Sequence, residues 1–113
     1  MEKTELRLQA ECFQYHWNAY AQHRYLLFKV KNEGHNRITV ARDKATGLIP
    51  GVSDMILLIP GGQVVFFEFK TEVGKQSPAQ KEWQKKVNGV GFHYFIIRSL
   101  AQFKNILSQI YAN

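Results

Sequence analysis

Two acidic motifs stand one hairpin apart in this chain, Gly51-Val52-Ser53-Asp54 and Glu68-Phe69-Lys70. The stretch between them holds two apolar runs, Met55-Ile-Leu-Leu-Ile59 and Val64-Val-Phe-Phe67, joined by Pro60-Gly61-Gly62-Gln63. Such a pattern predicts two strands and a tight turn. If the turn is centred on Gly61, Asp54 falls directly opposite Glu68. Opposed side chains share a face, with Cβ atoms roughly 5 Å apart. Two carboxylates at that separation suit one hard cation, whose oxygen ligands lie at about 2.0–2.6 Å. Lys70 is two residues past Glu68 and points to the same face. It could neutralise an attacking hydroxide or charge developing on a phosphate. A two-residue turn at Gly61-Gly62 would instead set Asp54 against Phe69, and the carboxylates would part. The plainer reading of the same residues is a strand-end salt bridge from Lys70 to Glu68 or Asp54. Against it stands the cost of burying carboxylates on apolar strands, which a divalent cation relieves.

Length and composition narrow the field. The 113 residues are 45% apolar with eight Phe, enough for one domain over residues 1–113 with its own core. No stretch approaches the roughly 18 apolar residues of a membrane span. Met1-Glu-Lys-Thr-Glu-Leu6 lacks the apolar heart of a signal peptide. The single cysteine, Cys12, excludes an intrachain disulfide and a cysteine-rich zinc site. Helical spacing makes it a small core residue, and a reducing cytoplasm is the expected setting. The net charge of +6 favours an anionic partner. The excess gathers at Lys29, Lys31, Arg37, Arg42 and Lys44, and again at Lys75, Lys81, Lys85 and Lys86. Ordinary solubility would explain a basic balance equally well.

The elements around the two motifs follow from periodicity. Residues 4–22 form an expected helix capped by Thr4, with Leu6, Ala10, Phe13, Trp17 and Tyr20 as its apolar stripe. Residues 25–30 read as a strand. Within residues 32–51, Ile38, Ala41 and Ala45 suit the inner face of a short helix ending near Gly47. Alternation of Ile38 and Val40 on a strand is the rival. After a polar loop, Ser77-Pro78-Ala79-Gln80 opens a helix with Ser at the N-cap, Pro first and Gln at the third position. Ala79, Trp83, Val87 and Val90 should form its buried face. A strand over residues 92–97 and a Ser99-capped helix with Leu100, Phe103, Leu107 and Ile110 inward complete the order. The connection from Lys70 to Phe92 can hold a crossover helix, so those strands can run parallel. The expected fold is α/β, a mixed central sheet flanked by helices.

With these elements in order, the chain resembles the virus-type replication-repair nuclease (VRR-NUC) domain of the PD-(D/E)XK superfamily. The resemblance rests on Glu5-X-X-X-Gln9, Asn32, Gly47-X-X-X-Gly51-Val-Ser-Asp54, Glu68-Phe-Lys70 and Gly74-Lys-Gln-Ser-Pro-Ala-Gln80-Lys-Glu-Trp83. It runs through most of the chain. The order of motifs, with Gly-X-X-Ser-Pro-X-Gln-X-X-Trp, is more specific than any one of them. Ser53 stands where the superfamily often has Pro. The resemblance implies a restriction-endonuclease-like core of αβββαβ type and a metal-dependent phosphodiesterase. Asp54 and Glu68 would bind Mg²⁺ or Mn²⁺ with the Phe69 carbonyl, and Lys70 would orient or activate water. Stand-alone domains of this kind are small phage or bacterial homodimers similar to Holliday junction resolvases, with phage replication or repair proteins as further partners. DNA hydrolysis leaving a 5′-phosphate follows, with branched DNA as the substrate. Lys75, Lys81, Lys85 and Arg42 are the expected contacts to its backbone.

Several residues keep two readings. Glu5 matches the family acid on the first helix. Glu11 is its rival, and either could be a solvated carboxylate. Gln80 can close a capping box with Ser77 or lie near the metal, with Gln84 one turn further on the same face. Trp83 reads as core packing rather than a base-stacking platform. His16, His23, His35 and His93 lack zinc-ligand spacing. His93 reads as a structural strand residue, and His35 could touch phosphate from its loop. A DNA-binding module without catalysis, a nuclease subunit active only with a partner, and a sequence-specific restriction-like enzyme are the alternatives.

Overall fold

In a computed structural model, residues 3–31 and 37–112 are described, apart from the side chain of Arg37. Asn32 and His35, which the sequence analysis singles out, lie outside the described residues. The chain runs α1 (Glu5–Ala19), a 3₁₀ turn (Ala21–His23), β1 (Leu27–Lys29), α2 (Arg37–Ala45), β2 (Met55–Ile59), β3 (Gln63–Phe69), α3 (Pro78–Gly89), β4 (His93–Ile97) and α4 (Leu100–Ile110). The four strands lie in the order β1-β2-β3-β4. The first three are antiparallel neighbours, and β4 joins β3 in parallel through the α3 crossover. This is the mixed sheet that the sequence predicts.

The capping chemistry falls where expected. Thr4 accepts from the Arg7 amide at the start of α1, and Ser99 accepts from Gln102 at the start of α4. Ser77 and Gln80 form a complete capping box with Pro at the first turn of α3. In the β2–β3 hairpin Met55 pairs with Phe67, Leu57 with Val65 and Ile59 with Gln63. The turn is therefore Pro60-Gly61-Gly62, centred on Gly61, and both glycines have positive φ (92° and 82°).

The sheet has two unequal faces. Val65, Phe67 and Phe69 of β3, with Met55, Leu57 and Ile97, pack against α1 and α4 to form the core. Phe103 of α4 meets both Phe67 and Phe69 at ring-centroid distances of 5.1 and 6.2 Å. Leu100 and Ile110 pack on its margin, so α4 turns inward on the side predicted. The opposite face is covered by α3, where Trp83 meets Phe66 and Tyr94 at 4.9 and 5.8 Å. Trp83 is thus a packing residue between helix and sheet. Leu58 and Phe28 remain exposed, so the second face is only partly covered.

Three expected inner faces differ from the structure. Helix α1 buries Leu8, Cys12 and His16, whereas Leu6 is 74% exposed. The predicted stripe is rotated from the core: Phe13 and Tyr20 reach its margin, and Leu6, Ala10, Phe13 and Trp17 line an open apolar groove of about 470 Å³ beside edge strand β1. Helix α2 forms as expected, but Ile38, Ala41 and Ala45 are exposed rather than turned inward. On α3 Val90 is exposed because the helix ends at Gly89, before its next inward turn. His93 is also exposed, at the first position of β4.

Buried His16 donates to or accepts from the Tyr111 hydroxyl at 2.8 Å, joining α1 to the end of α4. Burial, aided by the charge of nearby His23, lowers its pKa from 6.5 to about 4. The fold holds the neutral ring. On acidification the unfolded chain takes up the proton first, so this stability is intact above pH 6.5 and is lost as the pH falls toward 4. Denaturant titrations at pH 7 and pH 4.5 should differ, with up to roughly 3 kcal/mol traceable to this residue. The His16→Gln variant should show a flatter pH dependence than wild type. Gly51 offers a second check: it has φ +84°, and a Cβ there would lie 2.3 Å from the Ala79 carbonyl oxygen on α3. Gly51→Ala should destabilise the protein by at least about 2 kcal/mol, read as a lowered thermal midpoint.

Candidate active site

The hairpin register extends one step beyond the Met55–Phe67 pair, which sets Asp54 across from Glu68. Asp54 occupies a bend just before β2, between buried Ser53 and Met55. Ser53 stabilises that bend by donating its hydroxyl to the Met55 carbonyl at 3.2 Å. The Asp54 carbonyl accepts from the Val30 amide at 2.8 Å, which ties the bend to the end of β1. Across the hairpin, Asp54 Oδ2 accepts from the Phe69 amide at 2.7 Å. Gly51 presses the preceding loop onto the first turn of α3, so the Asp54 loop and α3 are held against each other.

Glu68 and Lys70 follow on the α3 face at the carboxyl end of β3. Both are buried, at 1% and 8% exposure. Lys70 Nζ lies 4.0 Å from Glu68 Oε2, the outer limit of an ion pair. Glu68 Oε1 accepts from two donors, the Tyr94 hydroxyl and Gln76 Nε2 at 3.1 Å. Glu68 Oε2 is buried without any hydrogen-bond partner. Burial raises the pKa of Asp54 above its usual range. The Phe69 amide opposes that rise, the charge of Glu68 adds to it, Lys70 opposes it, and Glu5 adds a little more. Three carboxylates thus act on one another with a single buried lysine among them.

The first-helix acid is placed by the loop after β3. A methyl group added at Gly74 would lie 3.4 Å from Glu5 Oε2, so Glu5 turns toward the site end of the sheet. Glu11 turns away and pairs with Lys3 at 2.6 Å and Arg7 at 3.4 Å, which lowers its pKa. The same loop is gathered by Arg98 at the end of β4, whose Nη1 donates to the carbonyls of Thr71 at 2.6 Å and Gly74 at 2.8 Å. Gln80 is occupied by the cap, its Oε1 accepting from the Ser77 amide at 2.8 Å. Gln76 is the glutamine that reaches Glu68, and it also donates to Gln84 Oε1 at 2.9 Å. Lys75, Lys81, Lys85 and Arg42 are all exposed, with Lys81 and Lys85 one turn apart on α3.

Tyr94, Gln76 and Arg98 are contacts that the sequence analysis leaves without a role. One signal was available for Tyr94: a hydroxyl within a buried strand needs a partner, and Glu68 is the acceptor on the neighbouring strand.

A hard cation fits this donor set. Asp54, Glu68 and the Phe69 carbonyl offer oxygens only, and the bare Glu68 Oε2 is the atom a cation would satisfy. Among the described residues no three acidic, histidine or cysteine side chains converge into a full cage. Two carboxylates completed by water match Mg²⁺ or Mn²⁺, which keep part of their hydration, and among the described residues no cysteine or histidine joins them in a zinc-like cluster.

Searched by sequence, no family profile and no curated protein matches the chain. Compared by structure, it is similar to a solved "VRR_NUC domain protein" at a TM-score of 0.74 and 16% identity, over 97% of this chain and 89% of the other. A second solved structure, a "VRR_NUC domain", matches at a TM-score of 0.64 and 20% identity, over 96% of this chain and 100% of the other. The chain has the fold of these VRR_NUC domains, as the motif resemblance implies.

Folding raises the pKa of Asp54, chiefly by burial, so its contribution to stability falls as the pH rises through that raised pKa. Asp54→Asn keeps an acceptor for the Phe69 amide and removes the charge. The variant should melt above wild type when divalent cations are chelated, and it should lose any stabilisation that Mn²⁺ gives wild type.

Proposed function

We propose that this protein is a metal-dependent nuclease that hydrolyses phosphodiester bonds of DNA, with branched DNA as its preferred substrate. The observation that carries this reading is the buried Glu68 Oε2, which has no hydrogen-bond partner and lies 4.0 Å from Lys70 Nζ. Burying charges on an otherwise apolar face is costly, and a carboxylate oxygen there without a hydrogen bond is only partly compensated by a lysine at 4.0 Å. When bound, Mg²⁺ or Mn²⁺ would polarise the scissile phosphate and lower the pKa of a coordinated water.

The chain's own residues supply the rest. Asp54, Glu68 and the Phe69 carbonyl hold the cation, and Glu5 adds negative charge from α1. Lys70 sets a positive charge beside Glu68, where negative charge develops during hydrolysis. Lys75, Lys81, Lys85 and Arg42 contact phosphates and position the substrate without reading its bases. Gln80 joins the site only if it leaves its cap. The preference for branched DNA, the homodimer, the place in phage replication or repair and the cytoplasmic setting rest on the family resemblance. Buried, free Cys12 accords with a reducing compartment, and no helix among the described residues is long and apolar enough to cross a membrane.

End-labelled four-way junction, splayed-arm and duplex DNA, incubated with Mg²⁺, Mn²⁺ or EDTA, test this reading. Metal-dependent nicks near the branch point are expected, with Lys70→Ala slower by about 10²-fold or more. Tight junction binding without cleavage in either metal would instead identify a binding module or a subunit that needs a partner.

A further inference from the structure

Glu68 is held in an asymmetric way that the proposed chemistry does not by itself require. Its Oε1 accepts from Tyr94 on β4 and from Gln76 in the loop before α3. Its Oε2 accepts from nothing and is buried. The terminal torsion of a glutamate is broad and roughly two-fold, so a lone carboxylate would sample many orientations. Two donors arriving from different elements at one oxygen select one of them. The Gln76 amide is itself fixed, because its second N–H donates to Gln84 Oε1 on α3 at 2.9 Å. Tyr94 is fixed from below by its ring contact with Trp83.

We propose that Tyr94 and Gln76 are positioning residues that engage one oxygen of Glu68 so that the other is presented, preoriented, to the cation. This inference rests on the metal-dependent reading above. Neither residue touches the cation or the substrate. Outer partners of a ligating carboxylate fix its orientation, and their loss commonly weakens metal affinity 10- to 100-fold. The competing explanation is that Tyr94 simply satisfies its own buried hydroxyl while its ring packs. The two differ in what they make of the hydroxyl alone. Tyr94→Phe keeps the ring against Trp83, so a packing role leaves cation affinity unchanged, whereas a positioning role lowers it.

The test is Mn²⁺ binding by titration calorimetry at neutral pH for wild type, Tyr94→Phe, Gln76→Ala and Asp54→Asn, with thermal midpoints measured in EDTA. A rise of about tenfold or more in the Mn²⁺ Kd is expected for both Tyr94→Phe and Gln76→Ala. Cleavage by these two variants should recover most of the wild-type kcat at saturating Mn²⁺. Gln76 lies in a half-buried loop, so its variant serves should Tyr94→Phe fold poorly. Wild-type Mn²⁺ affinity in both variants, with Asp54→Asn impaired, would overturn the positioning role and leave the metal centre standing. No Mn²⁺ uptake by wild type, or uptake undiminished in Asp54→Asn, would remove the metal centre itself and this inference with it.

Discussion

The last pair of the β2–β3 ladder is Ile59 with Gln63, which leaves three residues in the turn, and that odd number decides which side chains share a face. With Gly61 at the centre, Asp54 meets Glu68, and Phe67 and Phe69 enter the core. A slip of one residue would send Glu68 toward Phe103 and turn the two phenylalanines out. The price of a charge in that core makes the slipped state inaccessible. The packing of α4 on Phe67 and Phe69 therefore fixes which charged side chains share the other face of the sheet. Core and site are two readouts of one register.

The other face is built differently. Helix α3 covers the sheet through Trp83 and yet has no fully buried residue. The ring contacts of Trp83 with Phe66 and Tyr94 shield the strands beneath. Glu68 and Lys70 lie on this α3 face at the carboxyl end of β3, buried enough for strong electrostatics. Arg98 and Gly51 hold the loop that follows Lys70 and the loop that precedes Asp54, one by collecting carbonyls and the other by close backbone approach.

Much of this was legible in the sequence because it is local. The turn glycines, the Ser77-Pro78 start of α3 and the Ser99 cap each specify their own neighbourhood, and β-strand parity converts the turn into the Asp54–Glu68 pairing. Helix α1 was read less well because it carries two stripes. Leu6, Ala10, Phe13 and Trp17 look more apolar than Leu8, Cys12 and His16, yet the second set is the buried one. Periodicity cannot choose between stripes when a histidine is buried neutral against a tyrosine 95 residues away. The same limit hid Gln76 and Tyr94, whose roles arise only where a loop, a parallel strand and β3 converge. Gln80, by contrast, had a local use in the cap, and the structure shows it engaged there.

The turn that sets the register is itself remote from what it controls. A Cβ added at Gly61 or Gly62 would find no atom within 4 Å, so both point into open space. From there to Asp54 the strand runs on the order of 20 Å. Exposed turn tips of this kind accept attached or inserted chain with little penalty. A fluorophore or an affinity handle carried at the tip without changing its three-residue count would leave the carboxylates facing each other. The hairpin thus offers a grip on the molecule at the end opposite its chemistry.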